Sequence, residues 1–200
     1  NSCLSAISAK RLHIPIFHME AGNRCFDECL PEETNRRIVD HIADVNMCYS
    51  EHARRYLNHE GTARERTYVT GSPMAEVLKA NLEQIKASTI LDKLGLEKGK
   101  YILLSAHREE NIDTEKNCIS LFTAINKLAE RYDMPILYSC HPRSRNRLEK
   151  SGFVLDPRVI RQEPLGFHDY NCLQMNAFAV VSDSGTLPEE SSFFTSIGHS

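Results

Sequence analysis

The sequence has no tryptophan, and no apolar run in it comes close to the roughly 20 residues that a membrane-spanning helix requires. It has no marked excess of charge either, since 24 Lys and Arg stand against 27 Asp and Glu, a formal net charge of −3. Proteins that bind nucleic acids non-specifically rely on a strongly basic surface. We therefore expect neither a nucleic acid nor a membrane among the partners of this chain.

Cysteine is present but does not form the pattern of a disulfide framework. The seven cysteines are an odd number and are scattered along the chain, whereas small secreted domains carry dense, even sets. This pattern predicts reduced thiols in a cytoplasmic protein. Cys25 and Cys29 form a CxxxC pair, but no second pair and no histidine couple at zinc spacing completes a tetrahedral site. We predict no metal centre and interpret the pair as ordinary loop thiols.

Two common nucleotide-binding fingerprints are missing as well. The chain contains neither the GxxxxGK(S/T) loop of P-loop proteins nor the GxGxxG turn of dinucleotide-binding folds. The second absence argues against a nicotinamide or flavin cofactor. We therefore expect no redox cofactor.

What is present is an alternation of short apolar runs and helical periods, which is typical of an α/β fold with parallel strands. The predicted strands cover residues 14–19, 45–49, 67–70, 101–105, 135–140, 159–160 and 177–182. The predicted helices cover residues 1–12, 31–43, 51–60, 74–86, 115–132, 171–176 and 188–194. The apolar side of the first helix would consist of Leu4, Ile7 and Leu12, and that of the second of Ile38 and Ile42.

One segment favours a domain boundary. Residues 87–100 are charged, contain two glycines and have only weak periodicity. We therefore predict two domains, one over residues 1–86 and one over residues 87–200.

Several predicted strands end in polar, reactive side chains. Because ligands of parallel α/β sheets bind beyond the carboxyl ends of the strands, this position selects candidate site residues. They are Glu20, His107 with Arg108 beside it, His141, and the segment 182–186. A histidine can move a proton near neutral pH, and the planar guanidinium of arginine suits phosphate. For His107 and Arg108 the alternative is a solvated loop.

Glu20 and Glu32 belong to one strand–loop–helix unit. Two carboxylates in a closed cleft can serve as acid and base when their environments separate their pKa values. A carboxylate after an apolar strand, such as Glu20, requires a partner or a function. For Glu32 and Glu33 the alternative is helix N-terminal charge, with ion pairs four residues on to Arg36 and Arg37.

The segment 182–186, Ser-Asp-Ser-Gly-Thr, precedes a predicted helix. Small residues allow backbone N–H groups to approach an anion, and a helix N-terminus adds positive potential. The segment is therefore a candidate phosphate-binding turn. The alternative is an ordinary strand–helix turn in which Ser or Thr caps the helix.

These motifs form an ordered set that covers nearly the whole chain. They are His-Met-Glu-Ala-Gly-Asn-Arg at 18–24, Pro-Glu-Glu-Thr-Asn-Arg at 31–36, Thr-Gly at 70–71, Ala-His-Arg-Glu at 106–109, His-Pro at 141–142, Ser-Asp-Ser-Gly at 182–185 and Glu-Glu at 189–190. The set resembles the non-hydrolysing UDP-N-acetylglucosamine 2-epimerases of bacterial surface-polysaccharide synthesis. Residues 23–28 look more like the branch that converts UDP-N-acetyl-L-talosamine-type sugars to UDP-N-acetyl-L-fucosamine.

The resemblance implies two Rossmann-like domains that face each other across a cleft, the GT-B-like architecture that many glycosyltransferases also use. This chain would carry the C-terminal part of the first domain and the N-terminal part of the second, UDP-binding domain. A phosphate-binding arginine and a catalytic aspartate of the family would fall before residue 1, and a further family segment after residue 200. We therefore expect the 200 residues alone to be inactive, and we expect the parent protein to be a homodimer.

The resemblance also implies the chemistry, which is an isomerase that inverts C2 of a UDP-2-acetamido sugar. UDP would leave to give a 2-acetamidoglycal and then add back. By position, the catalytic residues would be Glu20, Glu32 and His107. The substrate-binding residues would be Arg36, Tyr170 against uracil, Ser184 and Gly185 on the β-phosphate, and Glu190 on the ribose hydroxyls. A possible regulatory UDP-sugar site would include Arg108 and His141.

Three other functions stay open at this point. A GT-B glycosyltransferase would use the same nucleotide half-site without requiring Glu20 and Glu32 together. A hydrolysing 2-epimerase would release free N-acetylmannosamine and UDP. An inactive nucleotide-sugar binding remnant would bind UDP without exchanging the C2 proton.

Overall fold

The structure is a computed structural model that describes residues 2–106, 115–140, 145–146, 148 and 151–198. The chain divides into two compact units, Asn1–Pro73 and Met74–Ser200, and each unit contains a parallel sheet. The predicted α/β class with parallel strands is therefore confirmed. Within the described part of the chain, no helix combines the length and the apolar character that a membrane crossing requires.

The first unit is built on a three-stranded sheet in the order β1-β2-β3. Its elements are α1 (Ser2–Arg11), β1 (Phe17–Met19), α2 (Pro31–Ile42), β2 (Val45–Cys48), α3 (Glu51–His59), a 3-10 turn (Arg64–Arg66) and β3 (Thr67–Val69). Proline suits the first position of α2, because a backbone N–H there would have no partner within the helix. The buried core of this sheet is small and consists of Ala21, Cys48, Ala53 and Leu57.

The second unit is built on a four-stranded sheet in the order β6-β5-β4-β7. Its elements are α4 (Met74–Ala80), α5 (Leu82–Lys86), α6 (Ile90–Leu94), β4 (Ile102–Ser105), α7 (Glu115–Tyr132), β5 (Ile136–Ser139), β6 (Val159–Gln162), α8 (Phe167–Asn176), β7 (Ala179–Ser182) and α9 (Leu187–Gly198). All four residues of β4 and of β5 are buried, as expected for strands covered by helices on both faces.

The two faces of the second sheet carry separate apolar cores. On one face Leu104 packs with Phe122 of α7. On the other face Leu103 packs with Leu173 of α8 and with side chains of α4, α5 and α6. This alternation follows from the two-residue period of a strand, which sends neighbouring side chains to opposite sides of the sheet.

The register of the second sheet aligns the carboxyl ends of its strands. Ser105 of β4 is paired with Ser139 of β5 and with Ser182 of β7, and Ser139 is paired with Gln162 of β6. A row of polar residues therefore marks the edge at which parallel sheets bind ligands.

The segment 74–100 differs from its prediction. It forms three short helices, α4, α5 and α6, instead of one helix followed by a loose junction. Leu78, Ile85 and Ile90 are buried in the core beneath β4, and the compact units divide after Pro73. A few apolar residues at irregular spacing give no clear helical period in the sequence. Each of the three short helices can nevertheless direct its own apolar residue toward the core. The identity of the two units as the two predicted domains stays a prediction.

The expected apolar side of the first helix is not buried. Leu4 and Leu12 are 69% and 71% exposed, and Ile7 is 39% exposed. The buried residue of α1 is Cys3. The prediction of the buried face of this helix from its periodicity was therefore wrong. A few apolar residues can lie on one side of a helix without any other element of the unit packing against them.

A buried tyrosine at the start of β4 provides a test of this fold. Tyr101 is fully buried, its hydroxyl donates to the backbone oxygen of Leu173 at 2.5 Å, and burial raises its pKa above the ordinary value. We expect Tyr101→Phe to lower the free energy of unfolding by about 1–2 kcal/mol, because a buried carbonyl loses a partner. Tyr68→Phe is the control, since the Tyr68 hydroxyl donates to the Glu65 oxygen at an exposed position. Urea titrations that find equal losses would contradict this packing.

Candidate functional site

The two predicted catalytic carboxylates of the first unit are both exposed. Glu20 directly follows β1, and its Oε1 accepts a hydrogen bond from Asn23 Nδ2 at 3.2 Å. Glu32 lies in the first turn of α2. Each carboxylate is therefore accessible to a ligand. Both belong to the segment formed by β1, the following loop and α2, as the sequence predicted.

Of the ion pairs four residues apart that were considered from the sequence, Glu33 forms the one with Arg37, and it also lies near Arg36, three residues on. It is buried, with Arg37 Nη2 at 3.1 Å and Arg36 Nη1 at 3.7 Å from its carboxylate. The backbone N–H and the thiol of Cys25 also donate to Glu33 Oε2, at 3.1 and 3.2 Å. Burial acts to raise the pKa of Glu33, but the hydrogen bonds from Cys25 and Arg37 outweigh it and lower the pKa. Glu33 is thus a buried, ion-paired carboxylate with a structural role, whereas the carboxylate of Glu32 is exposed and can contact a ligand.

A second buried carboxylate, that of Asp40 in α2, lies at the centre of a polar network. Its Oδ1 is 2.7 Å from His18 Nδ1, and the backbone N–H of Gly22 approaches Oδ1 and Oδ2 at 3.2 and 3.3 Å. Arg24 Nη1 lies 2.7 Å from Oδ2, and Asn46 Nδ2 donates to the Asp40 backbone oxygen at 2.9 Å. The carboxylate thus gains the several partners that a buried charge requires.

The partner of Asp40, Arg24, is itself held from its other side. Its Nε and Nη2 donate to the two oxygens of Glu60 at 2.9 and 2.6 Å, the two-point geometry that favours arginine over lysine. Burial acts to lower the pKa of Arg24, but the hydrogen bonds with Glu60 and Asp40 outweigh it and raise the pKa above its ordinary value. Arg24 is therefore a permanent cation between two carboxylates.

In the second unit, Tyr170 of α8 and Glu190 of α9 lie near the carboxyl ends of β4 and β7. Burial raises the pKa of Tyr170, a hydrogen bond with Ser105 acts to lower it, and the charges of Glu190 and Asp183 raise it further. Tyr170 thus lies beside Ser105 at the end of β4, and Glu190 is in the first turn of α9, which follows the end of β7. Two of the predicted substrate-binding residues are thus brought together.

The turn after β7 is held by its own hydroxyl groups and is open on one side. Ser184 N donates to Ser182 Oγ at 3.0 Å, and the hydroxyls of Ser184 and Thr186 lie 3.0 Å apart. Gly185 is exposed, and a Cβ built on it would have no atom within 4 Å. The turn therefore has room for an anion near the start of α9, where backbone N–H groups are available.

A cavity of about 560 Å³ opens at the carboxyl ends of β4 and β7, a volume in the range of small-molecule sites. Its lining residues are Leu104, Ser105, Ala106, Asn117, Ser120, Leu121, Val181, Ser182 and Asp183. The cavity lies on the α7 side of the sheet, whereas Tyr170 packs in the core of the opposite side. It adjoins the turn after β7 but contains none of the predicted substrate-binding residues.

Three predicted site residues lie outside the described residues. They are His107, predicted as catalytic, and Arg108 and His141, predicted for a regulatory site. Among the residues that the structure does describe, no group of three or more His, Cys, Asp or Glu side chains is arranged to hold a metal ion. All seven cysteines are within the described residues and none forms a disulfide.

The sequence interpretation missed Asp40 and the role of Arg24. One signal could have pointed to Asp40: it lies seven residues after Glu33, so both carboxylates fall on the same side of α2. Ile38 and Ile42 suggested the opposite assignment of the packed face, yet the buried residues of α2 are Glu33, Val39 and Asp40.

The comparisons with known proteins agree on one family. A family model described as UDP-N-acetylglucosamine 2-epimerase matches residues 1–197. The chain is similar to the structure of UDP-N-acetylglucosamine 2-epimerase from Rickettsia bellii, with 48% identity, a TM-score of 0.86 and coverage of 96% of this chain and 51% of that one. It is also similar to Methanocaldococcus jannaschii UDP-GlcNAc 2-epimerase in complex with UDP-GlcNAc and UDP, with 30% identity, a TM-score of 0.86 and coverage of 94% and 54%.

A curated relative carries a different sugar in its name. UDP-2,3-diacetamido-2,3-dideoxy-D-glucuronate 2-epimerase of Pseudomonas aeruginosa is 32% identical over 196 residues, which are 97% of this chain and 54% of that protein. This chain spans about half the length of the curated relatives it matches. The names of these relatives therefore include more than one UDP sugar.

The position of Gly22 provides a test of how tightly the Glu20 loop is packed. Gly22 has φ +79°, and a Cβ built there would lie 2.4 Å from the backbone oxygen of Ala53. Gly61→Ala is the matched control, because Gly61 has φ +89° with no atom within 4 Å of its Cβ position. We expect Gly61→Ala to cost about 1–2 kcal/mol of unfolding free energy from backbone strain. Gly22→Ala should cost about 1–3 kcal/mol more from overpacking; equal losses in urea titrations would contradict the contact.

Proposed function

This chain belongs to the UDP-N-acetylglucosamine 2-epimerase family, and from that membership we propose that the complete protein inverts C2 of a UDP-2-acetamido sugar. The substrate class is UDP-N-acetylglucosamine and UDP-N-acetylmannosamine, or UDP-N-acetyl-L-talosamine-type sugars converted to UDP-N-acetyl-L-fucosamine. The observation that carries the proposal is the family match over residues 1–197. It is supported by accessible carboxylates at Glu20 and Glu32 and by an open turn after β7.

The proposed reaction is an elimination followed by an addition. A carboxylate of the pair Glu20 and Glu32 removes the C2 proton, the C2–H electrons form the C1=C2 double bond, and the C1–O bond breaks with its electron pair on UDP. The products of this step are a 2-acetamidoglycal and UDP. UDP oxygen then adds back to C1, and C2 takes a proton on the opposite face. No net oxidation occurs, so the reaction requires no redox cofactor.

The proposed nucleotide site belongs to the second unit. Tyr170 would lie against uracil, Glu190 would accept hydrogen bonds from the ribose hydroxyls, and the open turn at Ser184 and Gly185 would bind the β-phosphate. Two observations support these roles. Tyr170 and Glu190 lie near the same strand ends, and a Cβ built on Gly185 would have no atom within 4 Å. A helix N-terminus stabilises the leaving diphosphate, whose charge grows as the C1–O bond breaks.

Arg36 is proposed as a further substrate-binding residue, and His107 as a catalytic residue near the diphosphate. Arg36 is half-buried and lies 3.7 Å from the Glu33 carboxylate, so it is anchored at its guanidinium. Arg108 and His141 are proposed for a regulatory UDP-sugar site. The wider setting is also proposed: a homodimer in the cytoplasm that supplies surface-polysaccharide synthesis.

Deuterium exchange at C2 tests the proposed reaction. The complete protein should incorporate solvent deuterium at C2 of the UDP sugar in D₂O, with intact nucleotide sugar as the product, as followed by NMR. Glu20→Gln and Glu32→Gln should each slow this incorporation by about 100- to 10,000-fold, the usual contribution of an acid or base. Glu83→Gln, at an exposed glutamate of α5, is the control.

The alternatives predict different outcomes of that experiment. Free N-acetylmannosamine would indicate a hydrolysing epimerase. UDP binding without deuterium at C2 would indicate a binding remnant, and sugar transfer that survives both substitutions would indicate a glycosyltransferase. Any of these three results would reject the proposal.

The ribose contact has its own test. Glu190→Ala should weaken the affinity of the complete protein for UDP by about 1–3 kcal/mol, because hydrogen bonds to a charged group contribute that much. Glu130→Ala, at an exposed glutamate of α7, is the control. Calorimetric titration with UDP measures both variants, and an unchanged affinity in Glu190→Ala would remove the ribose assignment.

A further inference from the structure

The backbone of Glu20 is in a conformation that a residue with a Cβ seldom adopts. Its φ is +63°, in the left-handed region, where the Cβ approaches the carbonyl oxygen too closely. Its side chain is exposed, and the hydrogen bond that its carboxylate accepts among the described residues is a local one, from Asn23. Because strain of this kind persists only where the surroundings enforce it, some other group must hold the loop in place.

Asp40 holds both ends of the short loop at residues 18–22. His18, on the near side of Glu20, lies 2.7 Å from Asp40 Oδ1. Gly22, on the far side, donates its backbone N–H toward the same carboxylate at 3.2 Å. Glu20 is the middle residue of this loop, so the two ends of its local backbone converge on one side chain.

The residue between Glu20 and Gly22 adds a third restraint. Ala21 is fully buried, and its N–H donates to the oxygen of Met47 at 3.1 Å. With positions 18, 21 and 22 fixed, the backbone at position 20 has little freedom to relax out of the left-handed region. Its side chain is thus presented to solvent in one direction.

The anchor itself is rigid and charged. The side chains of Asp40 and Arg24 are both 0% exposed, with Arg24 Nη1 2.7 Å from Asp40 Oδ2. Glu60 forms a second ion pair with Arg24 through Nη2. Removing one partner of such a pair leaves the other buried and uncompensated, so the network is costly to open. A mobile surface carboxylate could not fix a loop in this way.

Asp40 also belongs to the helix that carries Glu32. Glu32 is in the first turn of α2 and Asp40 lies near its end; eight residues span about 12 Å along a helix axis. Because Asp40 binds the Glu20 loop, α2 fixes the backbone that presents Glu20 relative to the backbone that presents Glu32.

We propose that Asp40 is a positioning residue of the epimerase site, whose buried carboxylate clamps the 18–22 loop and thereby sets the placement of Glu20 relative to Glu32. This inference rests on the proposed function for the reaction that it serves. The clamp itself rests only on contacts within the first unit.

The test uses Asp40→Asn in the complete protein, because asparagine keeps the shape but replaces one acceptor oxygen by an N–H donor. Glu60→Gln is the matched control, since it weakens the other side of the Arg24 pair without touching the loop. Hydrogen exchange by mass spectrometry reports the 17–23 peptide and, as a measure of unfolding, the 45–48 peptide of β2. Steady-state rates of C2 exchange report kcat and KM.

In Asp40→Asn we expect amide exchange in the 17–23 peptide to rise at least tenfold while the β2 peptide exchanges as in the wild type. We expect kcat to fall at least tenfold with KM within twofold, and Glu60→Gln to keep both the loop protection and kcat within threefold. A released loop with wild-type kcat would overturn the positioning role. Equal kcat losses in the two variants would also overturn it, since they would trace to the Arg24 pair.

A second variant decides the outcome if Asp40→Asn fails to fold. His18→Ala leaves the Asp40–Arg24 pair intact and removes only one end of the clamp. Faster exchange of the 17–23 peptide with a kcat at least fivefold lower supports the proposal, and wild-type kcat rejects it. If the wild type itself exchanges no C2 hydrogen, the proposed function fails, while the hydrogen-exchange comparison still tests the clamp.

Discussion

The organisation of the first unit depends on one constraint: the buried charge of Asp40 must be compensated. Its position in the first unit brings the end of β1, the turn at Gly22 and the guanidinium of Arg24 to a single carboxylate. A buried charge without such partners would be strongly destabilising. The same contacts that satisfy Asp40 therefore fix the course of the chain between β1 and α2, where the accessible carboxylates are found.

The organisation of the second unit depends on a different feature, which is the alignment of the carboxyl ends of its strands. Buried β4 and β5 require helices on both faces, and their register with β7 brings Ser105 and Ser182 to one edge. Helices α8 and α9 then add Tyr170 and Glu190 near that edge. A nucleotide site at this place would need no specialised fingerprint loop, because the helix start and the open turn at Gly185 offer backbone donors.

The sequence predicts best the features that depend on local pattern. Helix α7 and the central strands β4 and β5 lie within a residue or so of their predicted bounds, because long periods and continuous apolar runs identify them directly. Asp40 could not be identified in this way: its partner His18 is 22 residues away, and only the folded chain shows that the charged side of α2 faces inward. The three helices over 74–94 were not predicted separately for a related reason. Their few apolar residues show no regular period along the chain, and they form a core only when they pack on the second sheet.

We propose that the complete protein inverts C2 of a UDP-2-acetamido sugar with the carboxylates and the UDP-binding residues named above. The most direct measurement is a crystal structure of the complete protein with UDP and a UDP-2-acetamido sugar. The account predicts uracil against Tyr170, ribose hydroxyls on Glu190, and the carboxylates of Glu20 and Glu32 within reach of the sugar C2. A nucleotide bound away from Tyr170, or a Glu20 directed away from the sugar in every bound form, would contradict it.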